Sequence, residues 1–207
     1  SYSWYPSAYL SSGFSATVIA TPLTTQQYTL VASLNSCTRQ AMSTISVIPV
    51  PAINAAANPS AICNGGKSNL SVSGAMSYSW SPQHFLGPSV GSSVVALPHT
   101  STTFTVQGFN GTCNGSATVH VKTVQLPRLS VFSEDGHNSV CQGESLVLRA
   151  EGADDYTWSH PQLVKPEGSP GRVLVSPLVS TNFSVAGING DAQLKCAVAM
   201  SFSVMVI

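Results

Sequence analysis

Apolar and polar residues alternate with a period of two along much of the chain. Examples are NLSVSG at 69–74, TFTVQGF at 103–109 and RVLVS at 172–176. Such alternation puts Val, Leu and aromatic side chains on one face of a strand and Ser or Thr on the other. Clusters of Gly, Pro, Asn and Ser separate the runs, as turns do between strands. No window of useful length has the 3.6-residue spacing of a helix, so the pattern predicts an all-β protein.

The alternating segments recur as a repeat. Its most regular markers are three tryptophans, spaced by 76 and then 78 residues, and an aromatic residue that follows each of them by 24 or 25 positions. Six or seven short strands in each repeat suit a small β-sandwich, in which large side chains at fixed positions fill the core. We therefore predict six core aromatic residues: Trp4, Trp80, Trp158, Tyr28, Phe104 and Phe183.

The repeat divides the chain into three units. Residues 1–50 form a partial first unit, residues 51–126 a complete second unit and residues 127–207 a complete third unit. The segments VIPVPAI (47–53) and VQLPRL (124–129) join them. Both are short, apolar and contain Pro, which fixes φ and limits flexibility. We expect stiff joints and a rod of sandwiches.

The first unit begins in the middle of a repeat. By comparison with the other two units, about 26 residues that would form its first two strands have no counterpart before Ser1. One interpretation is a fragment boundary within a longer array. The other is that a neighbouring copy donates the missing strands, because a sheet with an unpaired edge recruits strands from elsewhere.

Charged residues are scarce and unevenly distributed. They make up 8 % of the chain, against about 25 % in an average soluble domain. All eight acidic residues lie in the third unit, so the formal charge is +3 for residues 1–126 and −3 for residues 127–207 (five basic, eight acidic). Either hydroxyl side chains keep an extracellular surface soluble, or neighbouring copies cover the low-charge faces. Scarce basic residues argue against nucleic acid, and no apolar run is long enough to span a membrane.

The five cysteines follow the repeat. Cys63 and Cys141 each precede their Trp by 17 residues, and we call them the early cysteines; the late cysteines, Cys37, Cys113 and Cys196, follow the second aromatic residue. Repeating offsets favour disulfides in an oxidising, extracellular setting. The favoured pairing is within units, Cys63 with Cys113 and Cys141 with Cys196, which leaves Cys37 unpaired or intermolecular. A link between neighbouring units or chains is the alternative, because the two cysteines of a unit could lie at opposite ends of a sandwich.

No spacing in the sequence points to catalysis, a metal or a cofactor. The five histidines (84, 99, 120, 137, 160) occupy unrelated repeat positions, and no zinc, phosphate-loop or nucleophile-elbow motif is present. The acidic pairs Glu134–Asp135 and Asp154–Asp155 read as surface charges rather than as a calcium site. We predict that the chain is not an enzyme.

The segment CQGESLVLRAEGADDYTW (141–158), with the later P-x-x-[ST]-T-x-[FY]-x-V and NG…C elements, resembles the tandem immunoglobulin-like (PKD-like) repeats of very large secreted surface proteins in Bacteroidota. The resemblance implies tandem immunoglobulin-like β-sandwiches, export (commonly by the type IX route) and roles in adhesion, gliding or surface fibres. The leading hypothesis is a non-catalytic, self-associating repeat segment of an extracellular fibre or giant cell-surface adhesin, with copies of itself or neighbouring repeats as partners. The alternatives are a module that binds surface glycans and an accessory segment of a secreted enzyme.

Overall fold

The first unit contains a single sheet. A computed structural model describes residues 1–207, and its first three strands are β1 (Tyr2–Tyr5), β2 (Gln26–Leu34) and β3 (Cys37–Ile45). They pair antiparallel in the order β1-β2-β3. Residues 6–25 have no extended strand and pack against one side of the sheet, where the hydroxyl of Tyr28 donates to the carbonyl of Ala8 at 3.2 Å.

The second unit is a sandwich of two sheets. Its elements are β4 (Asn54–Asn58), β5 (Ala61–Cys63), β6 (Ser68–Ser73), β7 (Ser77–Ser81), a single 3-10 turn (Gln83–Phe85), β8 (Ser93–Ala96), β9 (Thr102–Asn110) and β10 (Cys113–Val124). One sheet has the order β4-β6-β8 and the other β5-β10-β9-β7. Strand β6 shows how the sequence specifies this: its residues alternate strictly between buried and exposed, and Leu70 and Val72 enter the core with Trp80, Phe104 and Val106.

The third unit repeats this architecture with one more strand. Its strands are β11 (Ser130–Ser133), β12 (Ser139–Val140), β13 (Leu146–Glu151), β14 (Asp155–Trp158), β15 (Val164–Pro166), β16 (Arg172–Val175), β17 (Thr181–Gly190) and β18 (Lys195–Val206). The sheets are β11-β13-β16-β15 and β12-β18-β17-β14. Leu148, Val175, Phe183 and Val204 form the centre of its core.

One glycine in each complete unit lets the incoming chain cross close over the sandwich. Gly74 and Gly152 have φ values of 108° and 94°, and a Cβ on either would lie within 2.0 Å of the carbonyl oxygen of Ala52 or Arg128. Side chains rarely adopt this backbone conformation, so glycine is required at both turns. The joining segments are thereby held against the unit that follows them.

The expectation of an all-β chain is confirmed. Every sheet draws its strands from a single unit, and the 3-10 turn at Gln83–Phe85 is the one helical element. The structure contains no helix that is long enough and apolar enough to cross a membrane.

Candidate functional site

The candidate site is the joint between the second and third units, where a disulfide connects Cys63 to Cys196 with a Cα–Cα distance of 5.7 Å. Cys63 is the last residue of β5, and Cys196 lies at the start of β18. The Cys196 side chain is 1 % exposed. The bond therefore joins the far end of one sandwich to the near end of the next.

On the second unit, a small polar network fixes the position of Cys63. Strand β5 pairs parallel with β10, and Cys63 lies opposite Val124. The side-chain amide of Asn64 donates to Oε1 of Gln125 at 2.7 Å, and Nε2 of Gln125 donates to the carbonyl of His99 at 2.7 Å. The turn after β5, the segment after β10 and the loop before β9 are thus held together at one end of the sandwich.

On the third unit, the β17–β18 hairpin presents Cys196. Asn189 pairs with Cys196, and a tight loop follows Gly190. The carboxylate of Asp191 accepts hydrogen bonds from the backbone N–H groups of Gln193 at 2.9 Å and Leu194 at 3.2 Å. These residues belong to the four-residue insertion that distinguishes this hairpin from those of the other units.

Two polar contacts accompany the disulfide across the joint. Lys122 of β10 forms an ion pair with Asp191, and the side-chain amide of Asn189 donates to the carbonyl of Gln125 at 3.1 Å. The hydrogen bond from Lys122, assisted by the N–H groups of the hairpin loop, lowers the pKa of Asp191 from 3.8 to about 2. The carboxylate is therefore ionised at neutral pH and available to the lysine.

The structure corrects the favoured disulfide pairing. Cys113 and Cys141 carry free thiols, and Cys63 and Cys196 bond to each other across the units. Because Cys63 lies beside Val124 and Cys113 begins the same strand, β10, they are separated by the length of that strand, about 35 Å at 3.3 Å per residue. A disulfide requires Cα atoms within about 7 Å. The same separation along β18 excludes a bond between Cys141 and Cys196, so the link between neighbouring units is the one that forms.

Two of the three free cysteines, Cys37 and Cys113, occupy positions equivalent to the bonded Cys196. Each of these three residues lies at the hairpin before the last strand of its unit, where Cys37 pairs with Leu34, Cys113 with Asn110 and Cys196 with Asn189. Cys113 lies at the joint between the first and second units, where its Sγ contacts the carbonyl of Ile48 at 3.5 Å. Cys37 and Cys141 are exposed.

The early cysteine of the third unit has the same local geometry as Cys63. Strand β12 pairs parallel with β18, which places Cys141 beside the last residue, Ile207, whose N–H donates to the carbonyl of Val140 at 3.0 Å. The N–H of Glu144 donates to the carbonyl of Cys141 at 3.0 Å, as that of Gly66 donates to Cys63 at 2.8 Å. Cys141 is thus placed at the outer end of the third unit as Cys63 is at the outer end of the second.

The six predicted core aromatic residues differ in burial. Trp80, Phe104 and Phe183 are fully buried and Tyr28 is 2 % exposed, whereas Trp4 and Trp158 are half-buried. Nε1 of Trp80 donates to the carbonyl of Gly91 at 3.1 Å, and Nε1 of Trp4 donates to the equivalent carbonyl of Ser15 at 2.9 Å. Nε1 of Trp158 is buried without a partner. Trp4 is covered by the segment 6–25 in place of a second sheet, and Trp158 is half-buried within a complete sandwich.

The first unit leaves an apolar face and a strand edge uncovered. All nine residues of β3 are exposed, and β3 pairs with β2 alone, whereas the equivalent β10 lies between β5 and β9. Ile45 is 36 % exposed, although the equivalent Val121 of β10 is fully buried. Tyr28 is the one buried residue of the unit. Large apolar side chains are exposed across it: Tyr2, Tyr5, Tyr9, Phe14, Ile19, Leu23, Leu34, Met42, Ile45, Ile48 and Val50.

Four of the eight acidic residues of the third unit form ion pairs: Asp191 with Lys122 across the joint, and Glu134, Glu151 and Glu167 within the unit. The guanidinium of Arg172 donates to both carboxylate oxygens of Glu134, at 2.8 and 2.9 Å, and lowers the pKa of that carboxyl. Arg172 also pairs with Glu167, and Arg149 with Glu151. No three His, Cys, Asp or Glu residues converge as metal ligands would.

Comparison with known proteins shows the fold. No protein-family model and no curated protein matches the chain. Three immunoglobulin domains of titin superpose with a TM-score of 0.58 at 12 % identity, over 100 % of this chain and 88 % of that one. The N-terminal eight immunoglobulin domains of the Down syndrome cell adhesion molecule give 0.50 at 16 % identity, over 87 % of this chain and 31 % of that one. A C-terminal fragment of intimin, in complex with a domain of its translocated receptor, gives 0.50 at 15 % identity over 75 % and 64 %.

These likenesses establish tandem immunoglobulin-like β-sandwiches, as the sequence predicted. The narrower resemblance to Bacteroidota surface repeats stays a prediction from the sequence motifs.

Proposed function

We propose that this chain is a non-catalytic, load-bearing repeat segment of an extracellular fibre or very large cell-surface adhesin, and that it associates with copies of itself. The observation that supports this most strongly is the disulfide between Cys63 and Cys196. A bond within one domain stabilises that domain alone, whereas a bond between domains restrains their relative orientation. A restrained joint serves a protein that must keep its shape over a distance.

The rest of the joint also favours stiffness. The Lys122–Asp191 ion pair and the hydrogen bond from Asn189 to Gln125 cross it beside the disulfide. The segment between the units is itself anchored, because the side chain of Leu129 packs so closely on β17 that a Cβ on Gly187 would lie 2.7 Å from it. Three kinds of contact therefore oppose bending at this one point.

An extracellular or cell-surface location fits the same bond. Structural disulfides persist where the surroundings are oxidising and are rare in reducing compartments. The low proportion of charged residues fits a surface that is partly covered by neighbours. A route of export such as the type IX system stays a prediction from the sequence resemblance.

The first unit provides the surface for self-association. Its exposed apolar side chains and the unpaired edge of β3 are the features that proteins normally cover, because such edges pair with strands of other chains. We propose that a second copy covers them, by end-to-end packing or by adding a strand to β3. A glycan-binding row of tryptophans receives no support, since Trp80 is fully buried.

The stiffness of the joint can be tested by NMR in an aligning medium. In the wild-type chain, one alignment tensor should fit the residual dipolar couplings of both complete units. Cys63→Ser should require two tensors with different magnitudes, because the ion pair and the hydrogen bond that remain are exposed and hold the units together only weakly. Cys113→Ser is the matched control, since it also removes one sulfur but leaves the joint intact. Two tensors in the wild type, or one in Cys63→Ser, would contradict a disulfide-stiffened joint.

Self-association can be tested by sedimentation velocity over a range of concentrations. The wild-type chain should form larger species as its concentration rises. Met42→Lys places a charge on β3 and should shift this equilibrium toward the monomer, whereas Met76→Lys, at an exposed position of the second unit, should leave it unchanged. A wild-type chain that remains monomeric at high concentration would refute self-association.

A further inference from the structure

The bonded pair defines a rule for joints of this repeat. Cys63 is the early cysteine of its unit and Cys196 the late cysteine of the unit that follows. The early cysteine therefore bonds forward, and the late cysteine bonds backward. Every free cysteine of this chain is then one half of a joint: Cys141 is a forward half, and Cys37 and Cys113 are backward halves.

Cys113 supports the rule independently. It lies at the joint between the first and second units with its Sγ against the carbonyl of Ile48, at the end of the first unit where an early cysteine would lie. The 207 residues contain no early cysteine for that unit. Cys113 therefore faces the unit that precedes it, as Cys196 faces the second unit.

We propose that Cys141 forms a disulfide with Cys37 of a second copy of this chain docked head to tail. The two residues lie at opposite ends of the molecule, and both are exposed. The turn that carries Cys141 repeats the hydrogen bond of the turn at Cys63. Cys37 opens onto a surface groove lined by Tyr2, Ala32, Leu34 and Arg39. The joint between copies would then reproduce the disulfide of the joint between the second and third units, without the ion pair of Asp191, because the hairpin of the first unit lacks that insertion.

Charge favours this orientation over the alternatives. The first unit, whose outer end would dock, carries one charged side chain, Arg39, and the third unit carries a formal charge of −3. Arg39 lies two residues from Cys37 on β3, and Glu144 lies three residues from Cys141. Opposite charges therefore meet in a head-to-tail contact, whereas like charges meet head to head or tail to tail, where they repel over about a Debye length.

Formation of the bond requires an oxidant, and a small-molecule disulfide such as oxidised glutathione is sufficient. The thiolate of Cys141 attacks one sulfur of glutathione disulfide and releases one glutathione thiolate. The thiolate of Cys37 from the second copy then attacks the Cys141 sulfur of the mixed disulfide and releases the other. Two protein thiols are oxidised to one disulfide, and one glutathione disulfide is reduced to two thiols.

The test uses the full chain in a glutathione redox buffer, with products separated on non-reducing gels. The wild-type chain and Cys113→Ser should form a ladder of oligomers. Cys37→Ser alone and Cys141→Ser alone should remain largely monomeric, while their equimolar mixture should form a dimer and nothing longer. Docking should make this dimer about tenfold or more abundant than any dimer of either variant alone, because it raises the effective thiol concentration.

Trypsin locates the bond, because the five cysteines fall in five different tryptic peptides. The proposal requires the peptide 1–39 joined to 129–149. A mixture that remains monomeric, or links of 129–149 to itself or to 68–122 in similar yield, would overturn it. The proposal rests on the proposed self-association, and the double variant Cys37→Ser/Cys141→Ser separates the two. If that variant still associates reversibly while the wild type forms no Cys37–Cys141 bond, only the covalent joint is wrong.

Discussion

Stretching the chain from its two ends should bypass most of the second and third units. Tension that enters at Ser1 reaches Cys63 and passes through the disulfide to Cys196, so residues 64–195 lie outside the covalent load path. These are 132 residues. The first unit and the last strand, β18, remain on the path.

The bypass has a measurable length. An extended chain spans about 3.3–3.6 Å per residue, so 132 shielded residues correspond to about 440–475 Å of contour length. Cys63→Ser should therefore extend that much further than the wild type at full unfolding. Cys113→Ser, which has the same number of cysteines, should extend like the wild type.

Single-molecule force spectroscopy with handles at both termini checks this directly. Addition of a reductant to the wild type should release the same length in one step, because reduction of one bond frees the whole segment. Two bonds within units would instead shield about 103 residues, roughly 340–370 Å, and Cys113→Ser would then lengthen the chain. A Cys113→Ser chain that extends further than the wild type, or a wild type whose length does not change on reduction, would refute the inter-unit load path.

Three further predictions concern single residues. Trp80→Phe should lower the unfolding free energy of the second unit by about 2–4 kcal/mol, because it leaves a cavity and an unpartnered carbonyl at Gly91. Trp158→Phe should destabilise the third unit less, because the Nε1 that it removes has no partner. Denaturant-dependent hydrogen exchange measures the stability of each unit separately. Asp191 should titrate by NMR with a midpoint near 2. Because its folded pKa is depressed, its contribution to the stability of the joint should be complete above its ordinary pKa of 3.8 and should be lost as the pH falls toward 2. Replacement of its partner Lys122 by Met should raise the midpoint. Gly74→Ala should lower the thermal stability of the second unit strongly, because its Cβ would lie 1.9 Å from the carbonyl oxygen of Ala52. Gly65→Ala is the control: its added Cβ meets no atom within 4 Å, so it should cost only about 1–2 kcal/mol of backbone strain.

Much of the fold is predictable from periodicity. The alternation in segments such as 68–73 and 146–151 identifies strands, because a half-buried strand must alternate, and Trp80, Phe104 and Phe183 occupy the core at the positions that their spacing indicated. Their burial follows from size and repeat position alone. Partial exposure of Trp4 is not visible in its local sequence, since it depends on the segment that packs against its sheet.

The disulfide pairing could not be obtained from offsets, because an offset along the sequence does not say at which end of a sandwich a residue lies. The deciding fact is that β5 pairs parallel with β10, which places Cys63 beside Val124 and a full strand length from Cys113. One signal was present: Cys63 stands directly before a Gly-rich turn, and Cys113 stands in a hairpin. In a sandwich with this topology, those two features lie at opposite ends.

The same topology determines how a unit within a bonded array would carry tension. Force would enter at the late cysteine, at the start of the last strand, and leave at the early cysteine, which lies beside the end of that strand. The last strand would therefore be loaded along its length. Its hairpin partner is attached at the same end as the late cysteine and moves with it, so the force would pass to the strand next to the early cysteine through their parallel ladder. The β5–β10 and β12–β18 ladders contain three and two residue pairs. Because the load acts along the strands, the hydrogen bonds of such a ladder share it. These short parallel ladders, rather than the long hairpins, should therefore separate first when a bonded array is stretched.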